Sequence, residues 1–270
     1  MPYRLLALDL DGTILSPTGE LSSAVQHAIA DTQARGVRVT LATGRTFTAT
    51  LPFIKLLDIH EPVICYQGGL LIEPVTREIY HHAVMPNDLA VEAVQLLLTM
   101  QLPVVVFIDE IQYIAAYGPE INEYNALHPE GVHIVVEPNL AGLVATTAPL
   151  KLLFIAESDV VTQALAELVV HFAGRLTALR SHANFGELTP LGVSKGAALQ
   201  QLAQRLGIAR EEVIAIGDQE NDLPMIRWAG LGLAMGNAIP EVQAAAKAVL
   251  PPVWEDGVAW AINTYLLTPE

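Results

Sequence analysis

One cysteine, Cys65, stands in 270 residues, so no internal disulfide can form and no cysteine-based metal cluster can be built. Set in the apolar string PVICY, that thiol reads as a small buried hydrophobe. Positive charge is scarce as well: 14 Lys and Arg face 29 Asp and Glu, a formal net charge of -15. Such a surface repels phosphate backbones and anionic bilayers, which argues against nucleic acid and membrane as partners. Long apolar runs are missing even though hydrophobic residues make up 52% of the chain. The stretch between Glu92 and Asp109 is uncharged but is interrupted by Gln95, Thr99, Gln101 and Pro103. It is also shorter than the ~20 apolar residues a spanning helix needs. Near the start, Asp9 and Asp11 occupy the place of a signal peptide's apolar segment and no small-residue cleavage site follows, so the expected location is cytoplasmic. Internal repeats and low-complexity segments are absent, and nothing in the sequence fixes an oligomeric state.

What is present is an alternation of short apolar runs and helical patterns. The chain opens with RLLALDL, a helix over residues 21–35, VRVTLATG, a shorter helix and PVICYQGG, a βαβαβ rhythm. In the first helix Leu21, Ala24, Val25, Ala28 and Ile29 recur at helical spacing, and Gly36 stands where a C-terminal cap is expected. Strands separated by helices predict parallel pairing through right-handed crossovers. The rhythm returns near the end, with a helix over 194–206, the strand EVIAIGD, a helix over 223–229, the strand GLGLAMG and a helix over 241–249.

The middle differs. Residues 88–101 predict a helix, VVVFIDEIQYIAA a hairpin turning at Asp109 and Glu110, and VHIVVE and LKLLFIAE further strands. After another helix, LTALRSH and FGELTP predict a strand pair, so the segment reads as an α+β insert with an antiparallel component. Proline-bearing stretches, VMPND and LTPLG, flank it as expected linkers. The predicted fold class is α/β: a doubly wound, Rossmann-like parallel-sheet core from residues 1–82 and 189–270, with an α+β domain inserted over residues 83–188.

In an open parallel sheet, ligands bind beyond the carboxyl ends of the strands. Here those ends are polar. Asp9 and Asp11 follow the first strand, Thr43, Gly44 and Arg45 the second, and the late strand runs into GDQEND, with Gly217, Asp218, Asn221 and Asp222. Lys195 stands at the start of a helix. If Asp9 and Asp218 end neighbouring strands, two carboxylates share a small space, which raises at least one pKa and calls for a divalent cation. Oxygen ligands completed by water and a substrate phosphate suit Mg2+. Taken alone, DLDG is equally an acidic turn with helix-capping residues. An EF-hand is excluded, because its required sixth-position glycine would fall on Ile14. The Thr43 hydroxyl and the backbone N–H groups after LATG fit phosphate oxygens or an ordinary helix N-cap. Lys195 by itself fits a solvated helix lysine.

GVSKG, residues 192–196, matches the G-x-S-x-G nucleophile elbow, yet all eight histidines (27, 60, 81, 82, 128, 133, 171 and 182) precede Ser194. Pro190 also breaks the strand that should lead into such a serine, so Ser194 reads as a helix N-cap. His81 and His82 lack a metal-ligand spacing, and no P-loop occurs. Gly230, Gly232 and Gly236 miss the dinucleotide G-x-G-x-x-G spacing and read as backbone packing.

Together these strings resemble the haloacid dehalogenase (HAD) superfamily of phosphohydrolases. DLDGT resembles its first motif, LATGR its second, Lys195 in GVSKG its third and GDQEND its fourth. They occur in order over nearly the whole chain, and the insert lies between the second and third, where the Cof-like branch carries an α/β cap that sets substrate specificity. The resemblance implies a phosphoric monoester hydrolase with Asp9 as nucleophile, forming an aspartyl-phosphate, and Asp11 as general acid and then base. Alternation along an extended segment predicts that residues 9 and 11 face the site while Leu10 faces the core. The resemblance further implies Mg2+ on the Asp9 carboxylate, the Asp11 carbonyl and Asp218, with Asp222 supporting that shell. Phosphate oxygens would meet the Leu10 and Gly44 N–H groups, the Thr43 hydroxyl, Lys195 and the Asn221 amide. One position departs: Cof-like relatives usually carry asparagine where this chain has Gln67, and the longer amide is expected to alter contacts near the substrate.

The leading expectation is a Mg2+-dependent phosphatase of small phosphorylated metabolites such as sugar phosphates or nucleotides. A phosphomutase on the same scaffold, needing a bisphosphate intermediate, is the alternative. A non-catalytic phosphometabolite-binding protein ranks third, since every motif position is filled, and a dehalogenase would leave Asp11 without a task. In the insert, Arg180, His182, Asn184 and Glu187 are candidates for facing the substrate or for hairpin surface.

Overall fold

The computed structural model describes residues 3–127 and 133–267; of the features read above, His128 and Val132 lie outside them. Contacts divide the chain into two compact units, Met1–Gly44, Leu51–His81 and Ser194–Glu270 against Arg45–Thr50 and His82–Val193.

The first unit begins with strand β1 (Leu5–Leu8), helix α1 (Ser23–Ala34), strand β2 (Arg38–Leu41), helix α2 (Phe47–Leu56), whose first residues group with the second unit, and strands β3 (Val63–Cys65), β4 (Leu70–Ile72) and β5 (Ile79–His82). β1 is buried at every position, as a strand covered on both faces must be. α1 starts where the Ser22 hydroxyl accepts the Val25 N–H at 3.1 Å, and it buries Val25, Ala28, Ile29 and Thr32. Gly36 follows it at φ +81, donating its N–H to the Gln33 carbonyl at 2.9 Å.

The second unit holds α3 (Asn87–Thr99), β6 (Val104–Ile108), β7 (Ile111–Ile114), α4 (Pro119–Leu127), β8 (His133–Val136), α5 (Leu140–Thr146), β9 (Lys151–Ile155), α6 (Ser158–His171), β10 (Leu176–His182) and β11 (Phe185–Pro190). Its sheet has the order β10-β11-β9-β6-β7-β8 and is antiparallel except for the β7–β8 pair. By the period of two, Val104, Val106, Leu152, Phe154 and Leu188 share one face and pack in a single cluster with residues of α3, α5 and α6, such as Val94, Leu97, Val144 and Leu168. Lys151, Glu187 and Thr189 belong to the opposite face. The expected boundary at 188/189 falls inside β11, which keeps its ladder with β10 to Pro190; the contact division comes after Val193.

The chain returns to the first unit through α7 (Lys195–Arg205), β12 (Val213–Gly217), α8 (Leu223–Trp228), β13 (Leu231–Ala234), α9 (Pro240–Ala245), β14 (Ala248–Val249) and α10 (Gly257–Ile262). The helix expected over 241–249 stops at Ala245, because Ala246 turns extended (φ -78, ψ 157) and the following residues pair with β13 instead. The main sheet has the order β14-β13-β12-β1-β2, and all its pairs are parallel. β3 joins beside β2 through an isolated parallel bridge, Ala42 to Ile64. From β1 the chain runs outward to β2 on one side, while β12, β13 and β14 run outward on the other. The strand order therefore reverses between β1 and β12, the position at which doubly wound sheets open a crevice.

No helix among the described residues is long and apolar enough to cross a membrane.

Candidate active site

β1 and β12 are hydrogen-bonded neighbours with Leu8 opposite Ile216, and the ladder continues one step as the Asp9 N–H donates to the Ile216 carbonyl at 3.1 Å. Asp9 and Asp218 therefore leave adjacent strand ends side by side. One carboxylate oxygen from each of Asp9, Asp218 and Asp222 lies within 4.8 Å of the others, and all three residues are buried. Into this group α7 delivers Lys195. The helix opens with Ser194 as N-cap, its hydroxyl accepting the Ala197 N–H at 3.1 Å, so the next residue is placed at a fixed height and angle. The Lys195 ammonium is 1% exposed and donates to Asp9 Oδ1 and Asp222 Oδ1, each at 2.6 Å.

The charges do not cancel: three carboxylates and one ammonium sum to minus two. Burial, and next the Asp222 charge, push the Asp9 carboxyl well above the usual carboxylate range. Burial and Asp222 likewise raise Asp218 to about 7. The surrounding carboxylates outweigh burial at Lys195 and raise it, so the ammonium stays charged. Both oxygens of Asp222 are occupied, Oδ1 by Lys195 and Oδ2 by the Asp218 and Gln219 N–H groups at 2.8 and 3.0 Å. Asp222 thereby ties Lys195 to the loop that carries Asp218. An all-oxygen set short of positive charge is one that a hard metal ion fits.

β1 ends at Leu8, so strict alternation does not extend through residues 9 to 11. Asp9 and Leu10 are both buried, while Asp11 is exposed, yet close enough for its charge to raise the Asp9 pKa further. The Leu10 carbonyl accepts the N–H groups of Thr13, Ile14 and Leu15, which folds the segment into a tight turn. Gly12 sits in that turn at φ +79, and a Cβ there would stand 2.4 Å from Asp218 Oδ2, so only glycine fits.

Thr43 is buried at the end of β2, its N–H bonded to the Ile64 carbonyl at 2.8 Å, and Gly44 is half-buried beside it. Asn221 donates from Nδ2 to Gln67 Oε1 at 2.9 Å. Sequence reasoning missed the Thr13 hydroxyl, which donates to Asp218 Oδ1 at 3.3 Å, and the Gln219 amide, which donates to Asp218 Oδ2 at 3.1 Å. It also missed Asn237, whose Nδ2 donates to the Gly12 carbonyl at 2.8 Å while its Oδ1 accepts the Val253 N–H at 2.9 Å. The signal for the first two was adjacency to the acids in DLDGT and GDQ; Asn237 gave none.

In the second unit, Arg180 braces its hairpin, donating to the Ala183 and Ser158 carbonyls and to the Thr162 hydroxyl. His182 lies against the Phe185 ring, 4.8 Å between centroids. Glu187 is buried and accepts from the buried Lys151 at 2.7 Å.

Comparison with known proteins agrees with this geometry. The family model of the haloacid dehalogenase-like hydrolases matches residues 6–262. Protein YxeH of Bacillus subtilis (strain 168) is 32% identical over 98% of this chain and 99% of its own. Pyridoxal phosphate phosphatase YbhA of Escherichia coli (strain K12) is 28% identical over 99% of this chain and 100% of its own. The crystal structure of a haloacid dehalogenase-like hydrolase from Bacteroides thetaiotaomicron superposes with a TM-score of 0.84 at 30% identity, covering 97% of this chain and 99% of that one. The chain belongs to the haloacid dehalogenase-like hydrolases.

Proposed function

We propose that this haloacid dehalogenase-like phosphatase hydrolyses small phosphorylated metabolites through an aspartyl-phosphate on Asp9, with Mg2+ as cofactor. The observation that carries the reading is the buried group at the adjacent ends of β1 and β12, where Lys195 lies between Asp9 and Asp222 with Asp218 beside them. A nucleophilic carboxylate has to be ionised and aimed, and contact with the ammonium favours the ionised form that burial disfavours.

In this reading an Asp9 oxygen attacks phosphorus as the ester P–O bond breaks, and Asp11 gives its proton to the leaving oxygen. The exposure of Asp11 suits a group that exchanges protons with each ester and each water. Asp11 then takes a proton from water as the water oxygen attacks phosphorus, which releases inorganic phosphate and restores Asp9. Phosphate oxygens are held by Lys195, the Thr43 hydroxyl, the Leu10 and Gly44 N–H groups and the Asn221 amide. Mg2+, held by Asp9, the Asp11 carbonyl and Asp218, would neutralise phosphoryl charge when bound. Asp222 keeps Lys195 and the Asp218 backbone in place. The second unit acts in this reading as a cap that sets substrate choice.

Likeness to the pyridoxal phosphate phosphatase YbhA argues for testing pyridoxal phosphate beside sugar phosphates and nucleotides in a first substrate panel. With Mg2+ present, Asp9→Asn is expected to lower phosphate release by about 10³-fold or more with the fold retained. Full activity in that variant would overturn the mechanism.

A further inference from the structure

Between β3 and β4 the chain takes a costly path. Tyr66, Gln67 and Gly68 all have positive φ, at +51, +60 and +104. Only the glycine is at ease there; the other two are bulky residues in a sparsely populated region, a conformation that persists when its surroundings demand it. The surroundings are the segments that carry the proposed phosphate-binding residues. The Gln67 N–H donates to the Thr43 carbonyl at 3.1 Å. Gly68 packs so closely on the start of α7 that a Cβ would stand 2.3 Å from the Ser194 carbonyl oxygen, next to Lys195. The Gln67 side chain is 1% exposed, its Nε2 lies 2.3 Å from where a Gly44 Cβ would be, and its Oε1 accepts from Asn221.

Asn221 depends on that last bond. Its Oδ1 is buried without a hydrogen-bond partner, so the donation from Nδ2 to Gln67 is what holds the side chain. An amide secured at one point turns about its χ angles once that point is removed, and an unordered donor binds an anion less well than a pre-set one.

We propose that Gln67 is a positioning residue for phosphoryl binding: it sets the Asn221 amide and, by filling the space over Gly44, fixes the distance between the second-motif and fourth-motif donors. This rests on the phosphatase reading above. The Gln67 amide reaches across because it is one methylene longer than an asparagine amide. Gln67→Asn shortens the arm by roughly 1.3 Å, so the 2.9 Å bond to Asn221 is stretched past hydrogen-bonding distance. Asparagine tolerates positive φ better than glutamine, so the same change relieves backbone strain. Affinity and stability are therefore expected to move apart, which a merely structural residue would not do.

The test uses purified full-length protein with Mg2+, p-nitrophenyl phosphate as substrate and inorganic phosphate as inhibitor. For Gln67→Asn, KM and the phosphate Ki are expected to rise together by about tenfold, with kcat within about threefold of wild type and a melting temperature no lower. Gln67→Met fills the same space over Gly44 but cannot accept from Asn221, and it is expected to raise both constants as well. Unchanged KM and Ki in either variant overturns the proposal while the wild type and Asp9→Asn still uphold the phosphatase reading. A wild type that neither releases phosphate nor is inhibited by it overturns both.

Discussion

Each unit buries a lysine against carboxylate, and the two arrangements differ in charge. In the second unit Lys151 meets Glu187 at 2.7 Å, both 2% exposed, with the ammonium 4.6 Å from the centre of the Phe107 ring. That pair sums to zero within itself, spanning neighbouring antiparallel strands β9 and β11. In the first unit Lys195 is shared by Asp9 and Asp222, with Asp218 alongside, and the group has two surplus negative charges when all its carboxyls are ionised. A neutral buried pair costs desolvation and returns it as a fixed geometry. Such a surplus is relieved by protonation or by an added cation, and the raised Asp9 and Asp218 pKa values follow from it together with burial. The contrast teaches that a buried ion pair is by itself weak evidence of function, whereas an uncompensated one at adjacent strand ends is strong.

The widest way to break the comparison is to make both lysines apolar. Lys195→Met removes the ammonium that meets Asp9 and Asp222 and, with it, a proposed phosphate donor, so phosphate release is expected to fall by about 10³-fold or more, measured at saturating Mg2+. Retained turnover would mean that the surplus has no part in the chemistry. Lys151→Met takes the ammonium away from the buried Glu187 carboxylate and is expected to cost about 3–5 kcal/mol in urea unfolding. Adding Glu187→Leu should recover most of that loss, since an apolar pair of similar volume replaces a neutral ion pair at little net cost. A double variant as unstable as the single one would show that the pair contributes more than a neutral apolar pair can replace.

Much of the first unit could be read from the sequence because its information is local. Asp9, Thr43 and Asp218 each follow directly on an apolar run, and a parallel sheet brings all strand ends to one edge whatever the details of packing. Ser194 as a cap, and so Lys195 one residue later, was equally legible from GVSKG. What escaped depends on contacts between distant segments. Residues 244–249 carry a helix-forming composition, AAAKAV, yet α9 ends at Ala245, and Ala248 and Val249 become strand because β13 leaves an edge to pair with. Helices α4 and α5 are short, 9 and 7 residues, too brief for a clear period. The Lys151–Glu187 pair follows from the β9–β11 register across 36 residues, and no spacing rule anticipates it. Gln67 was visible as a longer amide, but the three positive φ values and the partnership with Asn221 were not.

The finest distinction between the two lysine sites lies in their response to pH and metal. Asp218 has a carboxyl raised to about 7 in the folded protein, against an ordinary value of 3.8. Between those values the native state holds a proton that the unfolded chain has released, so stability falls as pH rises from about 4 to about 7. The metal-free enzyme, prepared with a chelator, is expected to lose on the order of 2–4 kcal/mol across that window, since one pKa unit is worth about 1.4 kcal/mol. Asp9, raised by burial in the same group, acts with the same sign. Millimolar Mg2+, bound as proposed, would stabilise the ionised carboxylates and flatten the slope at its alkaline end, giving a larger rise in melting temperature at pH 7.5 than at pH 5. Hydrogen exchange in β1 and β12 locates the effect at the strands that carry Asp9 and Asp218. A Mg2+ shift equal at both pH values would mean that the ion binds without displacing protons from this group, and the surplus charge would then need another explanation.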